Sequence, residues 1–313
     1  MKGGAARSGS RAGRAPALRD GIARLLQADP PRAAAFIVTL YGDAIVPRGG
    51  AVWIGDLIDC CAAIDINESR VRTAVSRLVT AGRLQGDRIG RRSYYRLTAT
   101  ARHEFARAAD VLFAPPDQRD GARWHILWLP EGVDPEALAP LDRATIGHIG
   151  PRCVILPDGA ADALDRQRIG AEPLRLDATI APRRDSARLR DMAAACWPLA
   201  SHAAAYERFV QDAVTLAAAV DAGADADDSE ALLARLVLVH SFRKVALAEP
   251  RLPAAALPTG WPGHAARRLY ARLYLALSPS ADAFADRFQD AQGSLQPDHG
   301  MLAARRDALA AYL

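Results

Sequence analysis

Apolar residues recur at helical spacing along much of the chain. Over residues 33–46 (AAAFIVTLYGDAIV), Phe36, Ile37, Leu40, Tyr41 and Ala44 share one face, which predicts a buried helix. Pro47, Arg48, Gly49 and Gly50 make a turn. Residues 52–63 give a second helix, with Ile54, Leu57, Ile58 and Cys61 spaced for burial. Asn67 is the N-cap expected for a third helix, which runs to about Ala81 and stops at Gly82. Two extended segments follow within residues 83–98 and turn at Ile89-Gly90-Arg91. A further helix covers 98–113, and Pro115-Pro116 closes the unit. Three helices and then a basic hairpin is the order of a winged helix-turn-helix, here residues 30–116.

The pattern then changes. WHILWL (124–129), RCVIL (152–156) and PLRLDATI (173–180) are short apolar runs that predict strands. Residues 134–148 and 158–169 between them read as helices, so 120–185 is a small βαβαβ domain. From 186 to 313 the expectation is helical throughout. Helices are predicted at 187–220, divided by Pro198, and at 230–249, 264–277, 280–291 and 300–313. The fold class is therefore α+β. Residues 1–29, rich in Gly, Ala, Ser and Arg, read as a disordered basic tail with a short helix near Gly21 to Gln27.

Charge sharpens this picture. The 313 residues carry a net charge of only +4. Its distribution is uneven. Met1 to Arg19 hold five basic residues and no acid, and Asn67 to Leu97 hold eight Arg against Glu68 and Asp87. The remaining chain is net acidic. Abundant Arg and Ala can follow from genome composition, so clustering has to carry the argument.

On the third predicted helix Val71, Ala74, Val75 and Leu78 form an apolar back. Thr73, Ser76 and Arg77 lie opposite, flanked by Arg70 and Arg72, and no acid appears from Arg70 to Leu84. Guanidinium and hydroxyl groups on one face suit a DNA major groove, where Arg binds guanine O6 and N7 together. The hairpin adds Arg88, Arg91, Arg92 and Ser93, with Tyr94 facing out while Tyr95 and Leu97 pack inward. Arg at a hairpin tip tracks phosphates or enters a minor groove.

Other chemistry is sparse. No G-x-S-x-G, Walker loop, H-E-x-x-H or G-x-G-x-x-G occurs, and the carboxylates are scattered, so no enzyme is expected. Cys60, Cys61, Cys153 and Cys196 have no metal spacing and read as reduced structural residues. No metal or cofactor is expected. Met1 to Asp20 lack an apolar signal core, and no run is long enough to span a bilayer, so a cytoplasmic location is expected.

These residues carry a resemblance. AAAFIVTLYGDAIV, VWIGDLID, SRVRTAVSRLVTAGRL and GRRSYYRLT resemble the N-terminal winged helix of the PaaX family, bacterial repressors of phenylacetic acid catabolism. Residues 237–274 resemble that family's C-terminal signature at His240, Arg243, Pro250, Leu252, Pro253, Leu257, Pro258, Trp261, Gly263 and Ala266. The resemblance implies a homodimeric repressor on double-stranded operator DNA. It implies release by an effector, phenylacetyl-CoA or a related aryl-CoA thioester. It also implies a ferredoxin-like fold for the central domain.

A CoA ligand needs cations for its phosphates and an apolar slot. His240, Arg243, Lys244, Trp261 and Arg267 are the candidates. Alternatively the Pro-rich belt between Glu249 and Gly263 clamps helices, with Trp261 as core. The chain would then be a winged-helix scaffold or a constitutive regulator without a thioester ligand.

Overall fold

The computed structural model describes residues 17–116, 123–132, 146–158, 173–180, 186–224 and 226–313. Helix α1 (Leu18–Ala28) comes first. Helix α2 (Ala33–Leu40) runs into a π turn (Tyr41–Ile45) and a 3-10 turn (Val46–Arg48). Strand β1 (Ala51–Trp53), α3 (Ile54–Ala62) and α4 (Glu68–Thr80) follow, then the hairpin β2 (Leu84–Ile89) and β3 (Arg92–Leu97), then α5 (Ala99–Leu112). These strands form an antiparallel sheet in the order β1-β3-β2.

The central unit has strands β4 (Arg123–Trp128), β5 (Gly147–Gly150), β6 (Cys153–Pro157) and β7 (Leu174–Thr179). They form one antiparallel sheet in the order β5-β6-β4-β7. Five helices complete the chain: α6 (Ser186–Cys196), α7 (Leu199–Asp221), α8 (Asp228–Ala246), α9 (Pro262–Ala285) and α10 (His299–Ala310). The molecule is thus mixed helix and sheet. Among the described residues no helix is long and apolar enough to cross a membrane.

Several local expectations need correction. The supposed tail of residues 1–29 contains a packed helix, since Leu18, Ile22 and Leu25 of α1 are buried. Their four- and three-residue spacing makes one apolar stripe, and Gly21 lets the backbone approach α7 closely. A Cβ at Gly21 would sit 2.5 Å from the Leu216 Cα. Residues 1–16 lie outside the described residues.

The helix expected over 33–46 is α-helical only to Leu40, and that expected over 52–63 starts at Ile54 because Ala51–Trp53 pairs with β3. The helix expected to reach residue 148 conflicts with β5, and residues 134–145 lie outside the described residues. The expected helix at 158–169 also lies almost wholly outside them. The helices expected at 264–277 and 280–291 are one, α9, which ends at Ala285 and carries Pro279 inside it. Proline removes one rung of the helical ladder. Burial of Leu277, Ser278, Ala281, Asp282 and Ala285 along one face holds the helix together across it.

One apolar core runs from Leu18 to Leu309. Trp124 of β4 joins the central sheet to it through Trp197, with ring centroids 6.1 Å apart. All four cysteines are free thiols, and burial pushes Cys61 up to about 12.

Buried ions tie the N-terminal unit to the helices. Arg235 of α8 is fully buried, and its Nε donates to Asp43 Oδ2 at 2.9 Å while Nη1 donates to Asp282 Oδ1 at 2.9 Å. Arg48 donates to the same Asp282 oxygen at 3.1 Å and to Asp286 at 2.7 Å. Arg305 of α10 donates to the carbonyls of Asp43 and Gly42 at 3.2 and 3.0 Å. Removing one member of a buried pair strands its partner's charge. Arg235→Met is expected to lower stability by about 3–5 kcal/mol, read by urea unfolding. A loss near zero would show that the network adds nothing to stability.

Candidate nucleic-acid interface

Helix α4 is built to present one face. Its N-cap Asn67 accepts the Arg70 amide at 3.0 Å, which anchors the first turn. Val71, Ala74, Val75 and Leu78 are buried, while Arg70, Arg72, Thr73, Ser76 and Arg77 are exposed. Gly82, with φ +66°, ends the helix in the left-handed region that favours glycine. The hairpin then folds back along α4.

Its register sets Arg88 opposite Ser93 and Ile89 opposite Arg92. Gly90, with φ +61°, makes the turn. Tyr41 donates from its hydroxyl to the Tyr95 carbonyl at 2.9 Å, which fixes β3 to the helices. A Cβ at Gly86 would lie 2.8 Å from the Tyr95 ring, so the close strand pairing there depends on glycine.

The ten predicted contact residues differ in what they engage. Arg70, Arg77 and Arg91 are exposed and make no ion pair or side-chain hydrogen bond with any described residue. Others have partners. Arg72 pairs with Glu68 one turn earlier at 2.7 Å, and the Thr73 hydroxyl donates to the Ser69 carbonyl at 2.9 Å. Arg88 donates to the Gly90 carbonyl at 3.3 Å, and Arg92 lies over the Trp53 ring at 4.9 Å. Ser76, Arg72, Arg88 and Ser93 line an open groove of about 410 Å³ between α4 and the hairpin. Tyr94 and Ser93 are half-buried.

Two residues escaped the sequence reading. Trp53 is the platform for Arg92, and Arg83 at the end of α4 pairs with Glu104 of α5 at 3.2 Å. Arg83 was visible as a cation directly after Gly82, but its partner lies in another element.

The five candidate ligand residues do not converge. His240 Nδ1 lies 2.9 Å from the Thr39 hydroxyl, and Arg243 donates to that hydroxyl at 2.9 Å and to the Ala35 carbonyl at 3.1 Å. Lys244 turns away to pair with Asp29 of the α1–α2 link. Trp261 and Arg267 meet elsewhere, on Glu249. The indole donates to Oε1 at 2.9 Å, the guanidinium to Oε2 at 3.0 Å, and Tyr206 to the same oxygen at 2.6 Å. Glu249 is the hub that spacing did not reveal. Among the described residues no cluster of His, Cys, Asp and Glu could hold a metal.

A family model described as PaaX-like protein matches residues 32–101, and one described as PaaX-like protein C-terminal domain matches 197–287. Over 272 residues the chain is 32% identical to the transcriptional repressor PaaX of Escherichia coli (strain K12), which covers 84% of this chain and 86% of that protein. The chain belongs to the PaaX-like family. Among solved structures it is similar to the uncharacterized protein Rv0674 from Mycobacterium tuberculosis, at 22% identity and a TM-score of 0.48. That likeness covers 85% of this chain and 98% of the other. The first PaaX-like match spans α4 and the hairpin, and the second spans all five candidate ligand residues.

His240 yields a test of this geometry. It is buried and its Nε2 has no partner among the described residues. Burial, then the Lys244 and Arg243 charges, pushes it down to about 4. The folded chain therefore holds the ring neutral where the unfolded chain takes a proton at about 6.5. Stability from this group is present above about pH 6.5 and is lost as pH falls towards 4, by on the order of 3 kcal/mol. The ring resonance in a proton NMR titration should stay flat between pH 8 and 5. A midpoint near 6.5 would contradict the burial.

Proposed function

We propose that this chain is a DNA-binding transcriptional repressor acting in the cytoplasm on an operon for aromatic acid catabolism. In this reading residues 30–116 are a winged helix-turn-helix. Helix α4 enters the major groove and the β2–β3 hairpin is the wing. The observation that carries it is the exposed face of α4, with Arg70 and Arg77 unengaged, lying within the PaaX-like match. An ordinary solvated helix face mixes signs and pairs its charges along the helix. Here only Arg72 does so.

Arg77 is the residue for base contact. Arg77→Ala should cost roughly 1–3 kcal/mol in operator affinity and relax sequence preference, measured by fluorescence anisotropy. Arg91 at the wing tip is the phosphate contact. Arg91→Ala should weaken binding to every sequence and flatten the salt dependence. Unchanged operator affinity for Arg77→Ala would sink the groove assignment.

The repressor reading also calls for two copies on a pseudo-palindromic operator. The central sheet, of ferredoxin-like strand order, offers a surface for pairing. Its β5 edge is short and bulged between His148 and Gly150. Among the described residues no strand pairs with the outer edge of β7, and Leu174 and Leu176 are 60% and 48% exposed. Such an edge invites another strand. Antiparallel pairing of β7 with its own copy about Leu176 sets Arg175 of each copy opposite Asp177 of the other. Within one copy these two side chains already pair at 3.3 Å. Leu176→Lys should convert the dimer to monomer in analytical ultracentrifugation. A dimer of undiminished stability would place the interface elsewhere.

The effector in this reading is phenylacetyl-CoA or a related aryl-CoA. It binds the operator-free form more tightly, so DNA weakens its binding by the same factor. Anisotropy of labelled operator titrated with phenylacetyl-CoA tests this.

A further inference from the structure

A cavity of about 140 Å³ lies at the seam between the N-terminal unit and the helical body. Its walls come from α2, the π turn, α5 and α8, and include Val38, Gly42, Phe105, Ala109, Leu112 and Val239. An apolar cavity of roughly 150 Å³ elsewhere stays dry and takes benzene. One six-membered ring therefore fits the space available here.

The polar groups at its border are few and specific. Arg243 lines the cavity and uses only Nη1 in hydrogen bonds to described residues, which leaves Nε and Nη2. Arg83 lines the same cavity, close enough that its charge, after burial, lowers the Arg243 pKa. Glu104 is the acid at this rim, and it pairs with Arg83 at 3.2 Å. The rim thus carries an excess positive charge. The Arg83 and Glu104 side chains are 47% and 38% exposed, so the rim opens to solvent.

A second observation points to a ligand. Asp43 lines the cavity, is buried, and has an Oδ1 with no partner among the described residues. Arg235 on the other oxygen balances its charge. The edge of an aromatic ring carries positive charge density and suits such an oxygen. Asp43 and Gly42 both sit in the π turn, a rare form of helix that is frequent at functional sites.

We propose that this cavity takes the single aromatic ring of a small arylacyl ligand. The ligand's carboxylate or thioester carbonyl then lies at Arg243 and Arg83, and any bulkier group leaves past Glu104. The ring site stands on the cavity alone, whereas its role as an effector site rests on the repressor reading above. Occupancy reaches the DNA-reading face through Arg83. That residue lies three positions beyond the end of α4, its amide donates to the Leu78 carbonyl, and its carbonyl accepts the Thr98 amide. A ligand oxygen at Arg83 competes with Glu104 for this guanidinium. That competition shifts the junction between α4 and the hairpin.

The test uses the full chain and calorimetry with defined probes. Phenylacetyl-CoA should bind at least tenfold more tightly than acetyl-CoA. Ala108→Phe, which fills the cavity from α5, should weaken phenylacetyl-CoA tenfold or more, with the melting temperature measured alongside. Phe105→Ala, which enlarges the cavity, should tighten binding of 2-naphthylacetyl-CoA tenfold or more over the wild type, and misfolding cannot produce such a gain. Wild-type affinity for phenylacetyl-CoA in Ala108→Phe, or no gain for the naphthyl thioester in Phe105→Ala, would overturn the cavity assignment. Fluorine NMR of 4-fluorophenylacetate separates the two sources of the ring. Binding of that acid but of neither thioester, abolished by Ala108→Phe, would uphold the cavity and refute the thioester effector. Failure of every aryl probe on the wild type would overturn the cavity, while the Arg77 experiment decides DNA binding independently.

Discussion

The interaction on which the arrangement depends is the buried cluster around Arg235. A lone buried guanidinium carries a desolvation penalty of several kcal/mol. Here two carboxylates face it, Asp43 from the π turn and Asp282 from α9. Asp282 in turn accepts from Arg48 and Arg306; burial pulls its carboxyl up, but Arg235 first, then Arg306 and Arg48, hold it below the usual range. The buried charges of Arg48, Asp43, Arg235 and Asp282 are tolerable because the others are present. They come from the π turn, the 3-10 turn, α8 and α9, and separating these elements would leave a buried ion unpaired.

That constraint reaches α4 through packing. Asp43 lies in the turn that extends α2, and Phe36, Ile37 and Leu40 of α2 are buried in the core shared with α4. Helix α4 therefore inherits its orientation from the ion cluster. Buried carboxylates, in this cluster and at Glu249, also separate the held arginines from the free ones. Arg48, Arg235 and Arg267 are held inside by carboxylates, whereas Arg70, Arg77 and Arg91 lie where no described acid reaches them. Unpaired surface cations give modest self-repulsion and a field that draws phosphates.

How far this was legible in the sequence depended on range. Helix α4 was readable because its apolar period, Asn67 cap and Gly82 stop lie within sixteen consecutive residues. The hairpin was readable from Gly90 and its flanks. Helix α1 carried a readable stripe at Leu18, Ile22 and Leu25, but the Gly, Ser and Arg of its surroundings outweighed it. Strand β1 was hidden because Val52 and Trp53 continue the apolar phase of α3, and pairing with β3 decides their conformation. The π turn left no local mark, since its register is set by Arg235 and Arg305 from distant helices. Similarly, His240, Arg243, Trp261 and Arg267 were grouped by sequence proximity. The fold divides them between Thr39 and Glu249.

The seam that the ions hold shut is also where the apolar cavity lies, and this has a physical reason. A rigid cluster fixes α2 and α8 at one spacing, and side chains must fill whatever space results. At Gly42, Ala108 and Ala109 the side chains are too small to do so. An unfilled apolar void forfeits dispersion contacts and costs stability in proportion to its volume. A void kept open beside two arginines, on the path from the helical body to α4, is a poor solution for packing alone. It becomes a good one if a ring completes the packing. The same contact then stabilises the ligand-bound seam and changes the hydrogen bonding of Arg83. In that case recognition of the ring and its consequence for α4 are one interaction.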